Sequence, residues 1–121
     1  MLPFETLEEL NLNSNWFGIP GLLRFKDSFR LFQKLRVLNF GNLKIGNIED
    51  DSIRIQDMQE FKEVLQAISA NLEELHIPEN ALKDDDFTLA LIPTIANMPR
   101  LKMLNISRNG QLTKTSTVGL I

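Results

Sequence analysis

The side chains best suited to proton chemistry in this sequence are His76, its only histidine, and Glu74 two residues earlier. An imidazole beside a carboxylate is the pairing of a general base with the group that orients it. No serine, cysteine or second histidine stands where it would complete a nucleophilic set, so the pair reads as a surface contact and no catalytic residue is expected. The densest acidic runs, Glu49-Asp50-Asp51 and Asp84-Asp85-Asp86, raise the chemistry of a hard cation. They lack the D-x-D-x-D-G spacing of a calcium loop, and acids ahead of helices follow from capping and the helix dipole. The phosphate-loop, nucleophile-elbow and zinc-protease motifs are all absent. With no cysteine in the chain, thiolate metal sites, disulfides and cysteine nucleophiles are removed together. Neither metal nor cofactor is expected, and the chain reads as a non-enzyme.

Composition narrows the field further. A chain of 121 residues, 43% hydrophobic and 24% charged, suffices for one domain with a modest core. The net charge of -3 and the absence of a Lys/Arg cluster give no footprint for nucleic acid. No apolar run approaches the ~18 residues of a membrane span. The opening Met1-Leu2-Pro3-Phe4-Glu5 lacks the basic and apolar regions of a secretory signal. Zero cysteines point to a reducing compartment, so an intracellular, cytoplasmic location is expected.

The elements that must position any functional group are set by an internal repeat. Four segments read L-x-x-L-x-(L/I/F), beginning at Leu7, Leu35, Leu72 and Leu101, at spacings of 28, 37 and 29 residues. Within each the apolar residues alternate, as in Leu10 and Leu12, Leu38 and Phe40, Leu75 and Ile77, and Leu104 and Ile106. Alternation is the mark of a half-buried strand. Between the strands the period changes. Leu22, Phe25, Phe29 and Phe32 form one helical stripe, Met58, Phe61, Leu65 and Ile68 a second, and Phe87, Leu91, Ile95 and Met98 a third. Asp57 with Glu60 predicts the start of the second helix as a capping box. Pro93 inside the third stripe predicts a kink or a late start.

This pattern resembles the leucine-rich-repeat family, in the long, helix-bearing subtype of ribonuclease-inhibitor-like proteins. The resemblance implies an α/β solenoid with a curved parallel sheet on its concave side and helices on its convex side. One segment, 1–121, would hold about four units, 7–34, 35–71, 72–100 and an incomplete 101–121, as a fragment of a longer array. Asn15, Asn80 and Asn109, at the ninth motif position, carry the expected structural role. A buried carboxamide offers donors and an acceptor to the turn after the strand. The second unit has Leu43 there, with Asn42 one residue early, which predicts a distorted turn. That unit also carries about nine extra residues, placed at Gly46 to Ile55, as a projecting loop or a neutral insertion.

Residues flanking the inward leucines then line the concave face. Glu9, Val37, Glu74 and Met103 form one row, Asn11, Asn39, His76 and Asn105 a second, and Asn13, Gly41, Pro78 and Ser107 a third. Trp16 leaves the first strand on a loop, with Phe17 turned inward. It is either a hot-spot anchor or packing for a preceding repeat. The resemblance implies a protein–protein interaction scaffold, binding a protein partner on this face or on the long loop. Alternatives are a ligand-sensing or autoregulatory region of a nucleotide-binding immune receptor of innate immunity, and a regulator of a small GTPase with Arg108 as its loop residue. A purely structural segment of a larger array is the third alternative. Leu72-Glu73-Glu74-Leu75 and Asn97-Met98-Pro99-Arg100-Leu101 resemble the immune-receptor arrays.

Overall fold

The computed structural model describes residues 6–16 and 18–109 of the chain. Phe17, the opening residues 1–5 and residues 110–121 of the fourth unit, which enter the expectations above, lie outside the described residues. Each L-x-x-L-x-L segment forms a three-residue strand: β1 (Glu9–Asn11), β2 (Val37–Asn39), β3 (Glu74–His76) and β4 (Met103–Asn105). They make one parallel sheet in the order β1-β2-β3-β4, so every crossover leads to the adjacent strand. The register places Leu10 beside Leu38, Leu38 beside Leu75, and Leu75 beside Leu104. The four central leucines therefore line up across the sheet.

Pairing continues past the strand ends. Leu12 and Ser14 donate to Asn39 and Gly41, Phe40 and Asn42 to His76 and Pro78, and Ile77 and Glu79 to Asn105 and Ser107, at 2.7–3.1 Å. The chain then turns through two left-handed residues, at the eighth and tenth motif positions. Ser14 and Trp16, Asn42 and Lys44, and Glu79 and Ala81 all have φ between 50° and 65°, and Arg108 has φ 59°. The second unit obeys the same geometry, so the distorted turn expected at Leu43 does not occur. Leu43 fills the ninth slot as a fully buried core residue.

A buried turn needs partners for its amides, and the following coil supplies them. Asn80 Oδ1 accepts from Leu43 N (2.8 Å) and Ile45 N (3.3 Å), while its Nδ2 donates to Phe40 O (2.8 Å) and Pro78 O (3.0 Å). Asn109 repeats this one unit on. It accepts from Asn80 N (2.9 Å) and Leu82 N (3.1 Å) and donates to Ile77 O (3.0 Å) and Ile106 O (2.9 Å). Asn15 departs from the expectation of a buried role. It is exposed, and its Nδ2 donates to Leu12 O (2.6 Å) within its own turn. β1 is the edge strand, so among the described residues no earlier turn stands beside Asn15 to be served.

The helical layer differs in detail from the sequence pattern. The first crossover is broken into α1 (Gly18–Leu23) and α2 (Lys26–Phe29). Gly18, Pro20 and Gly21 weaken its first turn, and the break turns Phe25 out to 46% exposure while Leu22, Phe29 and Phe32 stay buried. The second crossover is α3 (Asp51–Ala67), which starts well before Asp57. Its N-cap is Asp50, whose carboxylate accepts from Ser52 N (2.8 Å) and Ile53 N (3.2 Å). Half of the supposed loop is thus helix, and only 46–50 leads into it. Gly46 is required there, since a Cβ would lie 2.5 Å from Ala81 O and 2.6 Å from Asn80 O.

The third crossover begins with α4 (Asp84–Asp86), widens into a π-helical turn at Phe87–Leu91 and ends in α5 (Ile92–Ile95). Pro93 brings no N–H and would crowd the carbonyl four residues back, so the wider turn relieves it. Thr94 Oγ1 donates to Ala90 O (2.7 Å). Leu91 and Met98 are buried and Ile95 half-buried, and the Phe87 side chain lies outside the described residues. A chain of rings, Phe29–Phe40 at 5.9 Å and Phe40–Phe61 at 6.3 Å, ties the helical layer to the sheet.

Replacing Asn80 with Ala strips four hydrogen bonds from a fully buried turn. Urea denaturation is expected to show a loss of about 3 kcal/mol or more. Asn15→Ala, at an exposed turn, is expected to cost less than about 1 kcal/mol. Equal losses at the two positions would contradict this account.

Candidate functional site

In each strand the central leucine faces the helices, so its two neighbours face the other way. Of the row Glu9, Val37, Glu74 and Met103, Glu9 is exposed, Met103 is 50% exposed, and Val37 and Glu74 are half-buried. Their register across the sheet is direct: Glu9 to Val37, Val37 to Glu74, Glu74 to Met103. The second row aligns in the same way, with Asn11 exposed and Asn39, His76 and Asn105 half-buried.

That second row has a structural task which sequence reasoning missed. Asn11 Oδ1 accepts from Asn13 N (2.9 Å), Asn39 Oδ1 from Gly41 N (2.8 Å) and Asn105 Oδ1 from Ser107 N (3.0 Å). Each side chain stops its strand by capturing an amide two residues on. His76 is the exception, and the reason is local. Two residues after it stands Pro78, which has no N–H to offer, and the position is released from the role. The signal was in the sequence, as Asn two residues before a non-proline.

The third row is tightly fitted. Asn13 is exposed, and its Nδ2 reaches Asn39 Oδ1 at 3.4 Å. Gly41 lies under it, where a Cβ would meet Asn13 Nδ2 at 2.4 Å and Pro78 Cγ at 3.1 Å. The face has a closed floor of small and amide side chains there, with Glu and Met side chains standing beside it.

At the turn edge of this face Trp16 is 60% exposed, with Lys44 Nζ 5.1 Å from its ring centroid. Arg108 is exposed, and its Nη1 donates to Glu79 Oε1 at 2.8 Å. Action on a GTP-like transition state would require the guanidinium to leave that pair. Glu9 lies 3.6 Å from Arg36 Nη2, and Glu74 Oε1 lies 3.3 Å from His76 Nε2. The base-and-orienter contact between His76 and Glu74 therefore exists, with no nucleophile placed against it among the described residues. Lys102 beside Glu73 holds that half-buried residue's carboxyl below its ordinary range, and Lys26 does the same for Glu63.

A second cluster lies in the helical layer and was not foreseen. Arg54 and Asp86 are both buried, at 6% and 0% exposure, and form an ion pair through Nη1 and Oδ2. Arg54 Nη2 also donates to Gly46 O (2.5 Å) and Ile48 O (2.7 Å), and Asp86 Oδ2 accepts from Lys83 N (2.9 Å). The pair fastens the 46–50 segment to the start of the next crossover. Its sequence signal was an arginine on an apolar stripe, Arg54-Met58-Phe61-Leu65, hidden by the reading of Gly46 to Ile55 as a loop. Burial pushes the Asp86 carboxyl up, against the lowering action of the Lys83 amide and of Arg54. Among the described residues no group of three or more His, Asp or Glu could hold a metal ion. No helix among them is long and apolar enough to cross a membrane.

Compared with family models, with curated proteins and with solved structures, the chain matches none.

Because the folded-state value is the raised one, the Asp86 contribution to stability is full below the ordinary carboxyl range near 3.8 and fades as pH rises through the folded midpoint. Carbon-detected titration of the Asp86 carboxyl is expected to give a midpoint above 3.8. In Arg54→Met that midpoint should rise further, since a lowering charge and a donor are lost. A wild-type midpoint below 3.8 would show that burial is not the dominant influence, and a midpoint that falls in the variant would show that Arg54 does not lower it.

Proposed function

We propose that this chain is a segment of a helix-bearing leucine-rich-repeat solenoid that recognises a partner protein through its open sheet face. The observation that carries the reading is the single-sidedness of the sheet. Its leucine face is packed under helices with Leu38 and Leu75 at 0% exposure, while the opposite face presents Glu9, Asn11, Asn13 and Met103 to solvent. Recurring left-handed turns and a buried asparagine passing hydrogen bonds to the turn before it support the repeat reading.

Parallel register gives this face a graded chemistry. Carboxylates of Glu9 and Glu74 alternate with the apolar Val37 and Met103, and the amide groups of Asn11, Asn39 and Asn105 run beside them. Apolar contact flanked by fixed charge and amide donors suits a mixed protein surface. Trp16, with its ring open and Lys44 against it, adds an anchor at the margin of the same face. The strand-ending bonds hold Asn11, Asn39 and Asn105 in place before any partner arrives, which lowers the entropic cost of binding.

Affinity capture with quantitative mass spectrometry tests this directly. A partner retained by the wild-type chain is expected to drop about tenfold or more with Glu74→Lys plus Met103→Asp. The same partner should be unaffected by Gln56→Lys plus Gln59→Lys on the exposed side of α3. A partner set that responds only to the α3 changes, or to neither pair, would end the sheet-face reading.

A further inference from the structure

The sheet ends in two open edges, β1 and β4, and the bonds that each leaves unmade fit the other. Ahead of the strands one series of bonds runs from coil to coil. Glu8 O accepts from Arg36 N and Val37 N, Arg36 O from Glu73 N and Glu74 N, and Glu73 O from Lys102 N and Met103 N, at 2.7–3.1 Å. The next acceptor in the series is Lys102 O, which meets no donor among the described residues. At the other edge Glu8 N and Glu9 N stand where Arg36 N and Val37 N stand one coil on, with no coil before them. An unpaired strand edge is a template for another strand.

The turns show the same match. Leu43 N and Asn80 N each donate to the ninth-position carboxamide of the following coil, at 2.8 and 2.9 Å. Asn109 N is the next donor in that series. Asn15 is the carboxamide with no turn to serve, and it is already held in the required pose. Its Nδ2 donates to Leu12 O as Asn109 Nδ2 donates to Ile106 O, and its Oδ1 meets no donor among the described residues.

Charge and apolar surface agree with the backbone. Glu8, Arg36, Glu73 and Lys102 share one motif position and alternate in sign across the sheet, with Arg36 3.6 Å from Glu8 and Lys102 3.0 Å from Glu73. The series ends in a negative group at the β1 edge and a positive one at the β4 edge. In the two inner coils the apolar residues at the first, fourth and sixth motif positions are at most 1% exposed. Their equivalents Leu7, Leu10 and Leu12 at one edge, and Leu101, Leu104 and Ile106 at the other, are only half-buried. A recess of about 290 Å³ opens at β4, lined by Met103 from one face of the strand and Leu104 from the other.

We propose that copies of this chain associate head to tail, the β4 edge of one against the β1 edge of the next. Lys102 O then accepts from Glu8 N and Glu9 N of the next copy, and Asn109 N donates to its Asn15 Oδ1. The Lys102 ammonium meets the Glu8 carboxylate of that copy and continues the alternation of charge. Its Leu10 stands beside Leu104, as Leu38 stands beside Leu75 within the chain. Two different surfaces meet, so the contact is heterologous and every added copy presents the same open edge again. The outward sheet face takes no part, and the inference goes beyond the sheet-face reading.

Sedimentation equilibrium of the full chain over a range of concentrations tests this. The weight-average mass is expected to climb past that of a dimer without a plateau. Asn15→Ala, at a turn exposed in the single copy, should keep the fold by circular dichroism and associate about tenfold more weakly. Glu8→Gln and Lys102→Gln should each weaken association about threefold at low salt, and the double variant no more than either, since both remove the same pair. A mass that stays monomeric at every concentration would overturn the proposal, as when another segment covers an edge. So would a mass that stops at the dimer, which marks a two-fold contact, or full association in Asn15→Ala. No partner protein is present in this measurement, so its failure leaves the sheet-face reading standing.

Discussion

A buried turn cannot leave its backbone amides without partners, and in this chain the next coil meets that demand. Asn80 serves Leu43, Ile45 and Phe40 of the coil before it, and Asn109 serves Asn80, Leu82 and Ile77 in turn. Each coil is incomplete until its neighbour arrives. The leucine register and the left-handed turns recur from one strand to the next. Leu43 shows how far the arrangement tolerates change. Its side chain gives no hydrogen bond to the earlier turn, but its carbonyl still accepts from Gly18 N (2.7 Å), it adds a core side chain, and the backbone path is kept.

The two faces of the sheet divide the labour. Apolar side chains go inward against α1, α3 and the third crossover, and the aromatic series Phe29, Phe40 and Phe61 fixes the distance between layers. Polar side chains go outward, but they are not idle there. Three of the outward asparagines terminate their strands, which makes the candidate face rigid as well as polar. A rigid polar face is a better recognition surface than a mobile one, because less order must be imposed on binding.

The helical layer holds the one buried ion pair among the described residues, and its energetics differ from those of the exposed pairs. Lys102 with Glu73 and Arg108 with Glu79 sit in water, where such contacts contribute little. Arg54 and Asp86 are removed from water, and their attraction must offset the desolvation of both. Fastening the 46–50 segment across two crossovers is what this costly pair achieves in the fold.

The sequence by itself determined the four strands, their parallel order and the inward leucines, because a two-residue alternation with a fixed repeat length leaves few ways to bury those side chains. It also marked Asn80 and Asn109, since a carboxamide at a constant place after three of the four strands has one obvious use. Tertiary structure decided what depends on neighbours. Whether Asn15 is buried turns on what lies beside an edge strand, and whether Phe25 is inside turns on a break between two short helices. Where α3 begins was settled by Asp50, because two cap bonds and a buried Arg54 outweigh the local signal at Asp57. The buried Arg54–Asp86 pair by that helix could not be read in one dimension, for its partners stand 32 positions apart and only packing brings them together.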